Sequence, residues 1–579
     1  MPNKAAPGAE MVPGARVVME TAAKYVVGDG QSGIDLVLGN PGTTELHLTS
    51  ALDHVDGLRS TLVLHETVAA GAADGYARML GRPAMVLLHL GPGLANAASN
   101  LHNAKRARSP VLAVVGDMAT WHADADAPLA SDIEGLARTF AGSVRTATSP
   151  ASLESDTQEA ILATHASADA AESPTASSRV SVLIVPHDLS WTQVPRTVAQ
   201  AAQHRHAAPR DAGLNGSLSD TSRAAFASFA KQLAEKLRQH GKGQSAFYLG
   251  GRALVDGRFS PPEGRGGLLF DIGRCAAAVG AAVICENSFA RVDRGAGRPA
   301  LQRLPYFPQD AKAELDKYAV VVLFDVRRPV AMFGYEGGPS ELLPDADGDR
   351  VWEIDDDGPG LDAFVAALTA ELAADAITPG RNCGGLFAGT AIPRVPKDGQ
   401  LDAASLCAVV AALQPEGCIV VDESLTSGAA YWEASRRCSP FSHLTLTGGS
   451  IGCGPPLAVG AALACPHRPV INIQADGSAM YSLQALWTQA REKLHVVTVV
   501  CNNARYNILR IEMAKQRIGA PGPACRGLLD LDSPGINFVS LAQGMGVPAA
   551  RVTTVAELAS ELREGLAGSG PRVIDAVLP

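Results

Sequence analysis

Residues 469–506 read PVINIQADGSAMYSLQALWTQAREKLHVVTVVCNNARY and place polar side chains directly after two apolar runs. The runs PVINIQ and HVVTVVC each have the length and the β-branched content of a buried strand. The segment SAMYSLQALWTQAREK between them has helical spacing, and Ser478 is its predicted N-cap. The apolar face of that helix would consist of Met480, Leu483, Leu486 and Trp487. The stretch is therefore predicted to form a β-α-β unit.

A right-handed crossover makes the two strands parallel, so the polar residues at their carboxyl ends should meet at one sheet edge. Asp476 follows the first strand and Asn503 follows the second. Carboxylate and amide oxygens suit Mg²⁺ or Ca²⁺, and Gly477 at a helix N-terminus offers N–H groups to an anion. Each piece alone also fits a helix cap or an Asn-Asn turn. Together they predict a site for a metal-bridged diphosphate.

The composition predicts a globular protein of three or four domains, since domains average roughly 150 residues and the chain has 579. A net charge of −10 argues against a nucleic-acid partner, which would require a basic surface. The N-terminus has no apolar signal region, and no apolar run approaches the ~20 residues of a membrane span. We therefore expect a cytoplasmic protein without a membrane partner.

The ten cysteines contain no C-x-x-C pair, so a zinc site or a redox motif is not indicated. Cys285, Cys465 and Cys501 lie in apolar runs and are interpreted as buried thiols in a reducing compartment.

Strand-like and helix-like segments alternate along the chain, which indicates parallel sheets covered by helices. The predicted fold is α/β with three domains, each a parallel sheet flanked by helices, at residues 12–190, 210–375 and 398–579. A surface insertion is predicted at 165–178, and linkers are predicted at 202–220 and 378–399.

The stretch from Ala475 to Asn503 resembles the diphosphate-binding motif of thiamine diphosphate (ThDP) enzymes, which reads Gly-Asp-Gly, some two dozen residues, then Asn-Asn. Ala475 replaces the first glycine of that motif. The resemblance implies that Asp476, Asn503 and the backbone oxygen of Arg505 hold Mg²⁺. It further implies that Gly477, Ser478 and Tyr506 contact the cofactor.

The segment LHETVAAGAADGYAR (64–78) resembles the element that carries the catalytic glutamate of these enzymes, at Glu66. In the family this carboxyl group hydrogen-bonds the aminopyrimidine ring of the cofactor and promotes removal of its C2 proton. The alternative for an acid at a helix start is complementarity with the helix dipole. Because the diphosphate motif is also present, catalysis is the favoured interpretation.

Four further segments resemble cofactor-contacting parts of the family. GNPGTTE (39–45) matches the turn at the pyrimidine ring and VVDESLTSG (420–428) a strand end at the diphosphate. HLGPGLAN (89–96) matches a glycine loop that faces the reaction centre. TGGSIGCGPP (447–456) matches the segment whose bulky apolar residue, here Ile451, holds the cofactor bent. Pro41, Gly42, Asn96 and Gly449 are the further cofactor contacts that these matches imply.

The resemblance covers roughly residues 15–190 and 400–579 and follows the acetohydroxyacid (acetolactate) synthase and benzoylformate decarboxylase branch. It implies a pyrimidine-binding, a middle and a diphosphate-binding domain. In this family the cofactor lies between two subunits, so a homodimer or homotetramer is expected.

The sequence departs from both members of that branch. His89 and Thr43 match an active-site histidine and serine of benzoylformate decarboxylase, but Phe333 stands where its second histidine is expected. Acetohydroxyacid synthases usually have Gly-Gln where this chain has Gly116-Asp117. Those synthases bind FAD in the middle domain, and residues 210–375 show no convincing flavin signature, so FAD stays an unsupported candidate cofactor.

Two classes of function follow. The first is an enzyme that decarboxylates a small 2-oxo acid and then either protonates the product fragment or joins it to a second carbonyl compound. Glu66, His89 and Thr43 would be its catalytic residues, and His89 would bind the substrate carboxylate or move a proton, unless it only packs beneath its loop. The second is a non-catalytic, regulatory ThDP-binding subunit, which has no physical need for Glu66. A nicotinamide oxidoreductase is weaker, because no G-x-G-x-x-G follows the first strand.

Overall fold

A computed structural model describes residues 10–25, 33–165, 178–196, 218–256, 267–344, 348–354, 359–377, 385–387, 389 and 391–579. Their strands form parallel-rich sheets of six, five and seven strands, with helices on both faces. The chain is therefore α/β throughout. The predicted insertion and the first predicted linker lie largely outside the described residues. The second predicted linker is described at 385–387, 389 and 391–399, which belong to no helix or sheet strand. The limits 12–190, 210–375 and 398–579 stay predictions.

The first sheet contains six parallel strands in the order β3-β2-β4-β5-β7-β6, and an antiparallel pair of strands, β1 with β8, lies beside it. Alternate residues of its strands face opposite sides: those facing one side pack on α3 and α4, and those facing the other pack on α1, α2 and α6. The strands are β1 Met11–Pro13, β2 Leu36–Gly39, β3 Arg59–Leu62, β4 Ala84–His89, β5 Val111–Asp117, β6 Ser143–Thr146, β7 Val180–Pro186 and β8 Gln193–Pro195. The helices are α1 Gly14–Lys24, α2 Leu46–Ala51, α3 Glu66–Leu80, α4 Leu90–Ala107, α5 Ile133–Ala137, α6 Leu153–His165 and α7 His187–Trp191.

The second sheet contains five parallel strands in the order β12-β10-β9-β13-β14. One face packs on α8, α9 and α11, and the other packs on α10. The strands are β9 Ser245–Leu249, β10 Ala282–Cys285, β12 Gln302–Arg303, β13 Val320–Phe324 and β14 Val351–Ile354. β11 Val292–Arg294 lies between β10 and β12 in the chain but belongs to the third sheet. The helices are α8 Asp220–His240, α9 Leu268–Val279, α10 Pro308–Leu315 and α11 Pro359–Glu371.

The third sheet contains seven strands in the order β11-β16-β15-β17-β18-β20-β19. Six are parallel, whereas β11 pairs antiparallel with β16, so a piece of the predicted middle domain belongs to this sheet. Its other strands are β15 Ile419–Glu423, β16 Phe441–Thr445, β17 Val470–Ala475, β18 Val496–Asn502, β19 Ala549–Val552 and β20 Arg572–Val577. The helices are α12 Ala403–Leu413, α13 Tyr431–Ala434, α14 Gly454–Ala464, α15 Asp476–Ala479, α16 Gln484–Arg491, α17 Asn507–Lys515, α18 Pro523–Leu529, α19 Phe538–Gly544 and α20 Val555–Ala567.

The prediction of a single helix after Asp476 is wrong in two respects. It is divided into α15 and α16, and Met480 is exposed at the break instead of lying on the buried face. Ser478 is not the N-cap, because α15 already begins at Asp476 and Ala475 occupies the cap position. The apolar spacing of the whole segment fits one helix, but residues 480–483 form a turn in which Ser482 is buried.

The predicted burial of the thiols is confirmed for Cys285 and Cys501, while Cys465 is half-buried. Among the described ranges, no helix has the length and apolar composition needed to cross a membrane.

A buried cation joins the first and third domains. The Arg78 guanidinium, on α3, forms a two-point ion pair with Asp74 at 2.6 and 2.8 Å. It also donates hydrogen bonds to the backbone oxygen of Thr445 at 2.6 Å, to that of Ala290 at 3.2 Å, and to the Thr447 hydroxyl at 3.0 Å. One side chain thereby ties α3 to the end of β16 and to the segment before β11.

Arg78→Leu should destabilise the chain, because it leaves the Asp74 carboxylate buried without its cation. We expect the free energy of unfolding to fall by on the order of 3–5 kcal/mol, measured by urea titration with circular dichroism. Arg138→Leu is the matched control, since Arg138 and Glu134 form an exposed pair with the same helical spacing; it should cost less than about 1 kcal/mol. Equal effects of the two substitutions would contradict this account.

Candidate active site

The two strand ends singled out in the sequence lie side by side. β17 and β18 are parallel and adjacent, with Ala475 opposite Cys501. The Asp476 carboxylate is buried and accepts hydrogen bonds from the backbone N–H groups of Gly477 and Ala504, both at 2.7 Å. The predicted convergence is therefore present, and Asp476 itself joins the two strand ends.

The second strand end offers two further oxygens. The Asn503 side-chain oxygen accepts a hydrogen bond from the Arg505 N–H at 3.1 Å. The Arg505 carbonyl accepts one from the Asn507 N–H at 3.0 Å, and a carbonyl has a second lone pair. Asn502, by contrast, donates to Asp575 on β20 at 2.8 Å and is structural. Asp476, Asn503 and Arg505 thus present the oxygen ligands that Mg²⁺ binds in proteins.

The residues beside these oxygens suit a diphosphate. Ser478 is buried, and its hydroxyl has no hydrogen-bond partner among the described residues. Gly477 lies against the ring of Tyr506, so that any larger residue would collide with it. Burial raises the pKa of Asp476 and backbone N–H groups oppose the shift, so a divalent cation beside it would favour the ionised form.

Glu66 begins α3 and is almost buried, with Asn96 of α4 donating to its Oε2 at 3.0 Å. The His65 ring caps the helix by accepting from the Thr67 N–H at 3.1 Å. Gly93 of α4 lies beside Glu66, since a Cβ at Gly93 would be in ordinary contact with Glu66 Cγ at 3.8 Å. The structure thus brings together Glu66 and Asn96, two residues predicted to serve the cofactor.

His89 ends β4, and a buried acid that sequence reasoning missed fixes its ring. Nδ1 of His89 lies 2.8 Å from Glu45 Oε2 and 3.2 Å from the Thr44 hydroxyl. Glu45 also accepts from the Gly42 N–H at 2.9 Å. Thr43, the predicted threonine, is exposed on this turn, so the contact with His89 belongs to its neighbour.

The prediction of a glycine loop at 89–96 is wrong. α4 begins directly at Leu90, and Gly91-Pro92-Gly93 forms its first turn. The fixed φ of proline suits the first turn of a helix. The chain turns from β4 into α4 at Leu90, which has a positive φ of 53°.

The segment 449–454 is held by a second buried acid, Glu423, which ends β15. Its carboxylate accepts from the N–H groups of Gly452 and Gly454 at 2.6 and 2.7 Å and from the Gln474 amide at 2.9 Å. Burial raises the pKa of Glu423, and these hydrogen bonds oppose the shift. Ile451 is half-buried in this segment, after Gly449, which has a positive φ of 75°.

Neither Glu45 nor Glu423 stood out in the sequence, although both lie in quoted segments. Glu45 lies against Gly116, where a Cβ would collide with its carboxylate, and no local sequence pattern signals this contact. Pro41 is exposed at the same turn, and Asp117, at the end of β5, has a pKa raised by burial.

The middle domain does not fit a flavin at the glycine turn after β9. The Arg252 N–H donates to Asp325 at 2.6 Å, and Asp325 is paired with Arg108 of the first domain at 2.7 Å. Glu286, at the end of β10, has a pKa raised to about 7 by burial. The Asp325 carboxylate brings negative charge to this turn, which disfavours a phosphate there, and no step is assigned to flavin.

Comparisons with known proteins agree with the two halves of this site. Residues 30–136 match the family model of the thiamine pyrophosphate enzyme N-terminal TPP binding domain, and residues 426–576 match that of the C-terminal TPP binding domain. The chain is 44% identical over 551 residues to "Putative acetolactate synthase large subunit IlvX" of Mycobacterium tuberculosis, covering 94% of this chain and 96% of that protein.

Two decarboxylases are also similar. The chain is 29% identical over 575 residues to benzoylformate decarboxylase of Pseudomonas aeruginosa, covering 94% of this chain and 96% of that protein. The solved structure of the thiamine diphosphate-dependent 4-hydroxybenzoylformate decarboxylase of Rhodococcus jostii RHA1 matches with a TM-score of 0.76 at 26% identity. That match covers 98% of this chain and 99% of the other.

Gly477→Ala should weaken thiamine diphosphate binding, because the added methyl group would push the Tyr506 ring out of place. Overpacking of this kind costs about 1–3 kcal/mol, or roughly 5–100-fold in affinity, measured by titration calorimetry. Gly527→Ala is the control, since a Cβ at Gly527, on α18 of the same domain, meets open space. Unchanged affinity in Gly477→Ala would show that this corner lies away from the cofactor.

Proposed function

The chain belongs to the thiamine diphosphate-dependent enzymes related to acetolactate synthase and benzoylformate decarboxylase, and we propose that it decarboxylates a 2-oxo acid with thiamine diphosphate and Mg²⁺. When bound, thiamine diphosphate would supply an electrophilic ring system that accepts the electron pair left on the substrate carbon when CO₂ departs. The observation that carries the proposal is that each of two domains has a buried acid at a position typical of these enzymes. Glu66 is held by Asn96, and Asp476 lies between two strand ends.

In this proposal, one half of the site holds the charged end of the cofactor. Asp476, Asn503 and the Arg505 carbonyl bind Mg²⁺, and Gly477 and Ser478 receive the diphosphate. The unpartnered buried hydroxyl of Ser478 supports this assignment, because a phosphate oxygen would satisfy it.

The other half orients the pyrimidine and the substrate. Glu66 would share a proton with a nitrogen of the pyrimidine ring, while Asn96 fixes the carboxyl group from one side. The further residues that surround the cofactor are Pro41, Gly42, Gly449, Ile451 and Tyr506. His89 binds the substrate carboxylate or moves a proton, and its contact with Glu45 supports this role because a buried acid fixes the orientation of the ring. Thr43 remains a candidate substrate contact.

A second copy of the chain is proposed to complete the site, as a homodimer or homotetramer. Large apolar side chains are exposed beside both halves of the site. They are Leu46 and Leu64 in the first domain and Met480 and Tyr481 in the third. Exposed apolar groups clustered beside a site support a covering partner.

The alternatives differ in what happens after CO₂ leaves. An acetolactate synthase-like enzyme joins the remaining fragment to a second carbonyl compound, and a benzoylformate decarboxylase-like enzyme protonates it. A regulatory subunit does neither, and the network around Glu66 and His89 argues against that reading.

The direct test is to incubate the purified chain with thiamine diphosphate, Mg²⁺ and a panel of 2-oxo acids with methyl, branched and phenyl side chains. Released CO₂ and the identified products separate ligation from protonation. If the chain binds the cofactor but releases no CO₂ from any acid, it is a binding subunit and the proposal is wrong.

Asp476→Ala should remove the only charged group among the proposed metal ligands. We expect the affinity for thiamine diphosphate in Mg²⁺ to fall by more than about 100-fold, beyond the loss typical of outer-shell changes, measured by titration calorimetry. Asp532→Ala, an exposed aspartate of the same domain, is the control. An Asp476 variant that binds as tightly as the control would refute the metal assignment.

Glu66→Gln keeps the size of the side chain and an acceptor for Asn96 but cannot share a proton with the pyrimidine ring. Exchange of the C2 proton of bound thiamine diphosphate should slow by at least about 100-fold, followed by quenched-flow NMR. Cofactor affinity should fall much less, which makes it the internal control. Exchange at the wild-type rate would assign the activation to another group.

A further inference from the structure

A loop of the middle domain reaches the helix that follows the proposed metal motif. Residues 329–342, here called the middle-domain loop, form a hairpin closed by an antiparallel bridge between Val330 and Glu341. Backbone hydrogen bonds from Ala331 to Ser340 at 2.8 Å and from Leu342 to Pro329 at 3.0 Å reinforce its base. The tip contains AMFGYEGG (331–338), the segment in which the second histidine of benzoylformate decarboxylase is missing.

The tip is attached to α17 through a nearly buried acid. Both carboxylate oxygens of Glu512, which is only 9% exposed, lie 3.1 Å from the Tyr335 hydroxyl. The Tyr306 hydroxyl also donates to this carboxylate. Burial raises the pKa of both tyrosines, and the neighbouring Glu512 raises it further, so both hydroxyls stay protonated as donors.

A second contact joins α17 to the start of α10, in the same domain as the loop. The Lys515 ammonium lies 4.4 Å from the centre of the Phe307 ring and 4.0 Å from the Asp310 carboxylate. Because α17 begins at Asn507, directly after Tyr506, Glu512 is about 8 Å along the helix from the proposed cofactor motif. The loop is therefore fixed close to the proposed site.

The fixed loop exposes large apolar side chains. Val330 is 67% exposed, Met332 44% and Phe333 56%, and Leu509 on the first turn of α17 is 43% exposed. The nearby cation Arg510 is paired with Asp530. Exposed apolar groups on this loop and on the adjoining turn of α17 favour an apolar occupant.

We propose that Glu512 is a positioning residue that, through Tyr335, fixes the middle-domain loop so that Met332 and Phe333 form a wall for the apolar side chain of the 2-oxo acid. This inference rests on the proposed function. It narrows the substrate class to 2-oxo acids with a large apolar side chain. A second copy of the chain is the competing occupant of this apolar surface.

The test compares Tyr335→Phe, Glu512→Ala and Glu512→Gln with Tyr318→Phe. Tyr318 is the matched control, because its hydroxyl donates to Glu314 at 3.1 Å in the same domain but away from α17. Deuterium exchange of peptides from 329–342 reports on the loop without requiring activity. Steady-state kinetics with phenylglyoxylate and with pyruvate separate KM from kcat, and calorimetry checks cofactor binding.

We expect faster exchange in the loop and a KM for phenylglyoxylate raised about tenfold in Tyr335→Phe and Glu512→Ala, as for loss of a hydrogen bond to a charged group. The kcat and the cofactor affinity should stay near wild type. Glu512→Gln should recover part of both effects, because its amide oxygen still accepts a hydrogen bond. Tyr318→Phe should change neither.

Phe333→Ala tests the wall directly and should raise KM for phenylglyoxylate more than for pyruvate. Unchanged KM in Glu512→Ala or Phe333→Ala, with an active wild type, would overturn the inference alone. A Phe333→Ala variant that changes only the oligomeric mass would assign the surface to a second copy and overturn it as well. A wild type that releases no CO₂ from any acid would overturn the proposed function, and the substrate wall with it.

Discussion

The close contact between α3 and α14 is the constraint on which the candidate site depends. Gly71 and Gly75 of α3 lie against Pro456 and Leu457, and Gly460 of α14 lies against the backbone of α3, so that a Cβ at any of the three would collide. Glycine is the residue that permits such an approach between helices. Because α3 begins at Glu66 and α14 follows the Ile451 segment, this contact fixes where the two domains present their candidate cofactor residues.

Buried polar groups extend that joint to the middle segment of the chain. Arg291 pairs with Asp293 at 2.9 Å and donates to the Met79 carbonyl at 3.0 Å, beside Arg78. Asp293 in turn accepts from Ser442 on β16 at 2.6 Å. Breaking buried pairs of this kind is costly, whereas forming them adds little net stability. We interpret the network as a device that specifies how the sheets are joined.

The sequence predicted what local patterns determine. Apolar runs located inner strands of the three sheets, such as β17 and β18, and missed several strands at the sheet edges. The spacing from Asp476 to Asn503 identified a site at a sheet edge, because a β-α-β unit makes its two strands parallel. The break in the helix after Ala479 and the start of α4 at Leu90 escaped prediction, since apolar spacing does not determine where a helix begins or ends. The placement of β11 in the third sheet depends on partners about 150 residues away in the sequence, which no local pattern encodes.

Three buried acids show why the details of the site needed the structure. Glu45 contacts the His89 ring, and Glu423 accepts hydrogen bonds from the segment around Ile451. Glu512 accepts a hydrogen bond from Tyr335 in the loop of residues 329–342. Each is stable in its buried position only because donors from other elements surround it, and an unpaired buried carboxylate would be costly. The parallel sheets therefore determine where strand ends meet, while these carboxylates determine the loop geometry there. We therefore expect a change of substrate within this fold to replace loop residues and to keep these acids, because the acids position the loops and themselves lie on or beside the sheets.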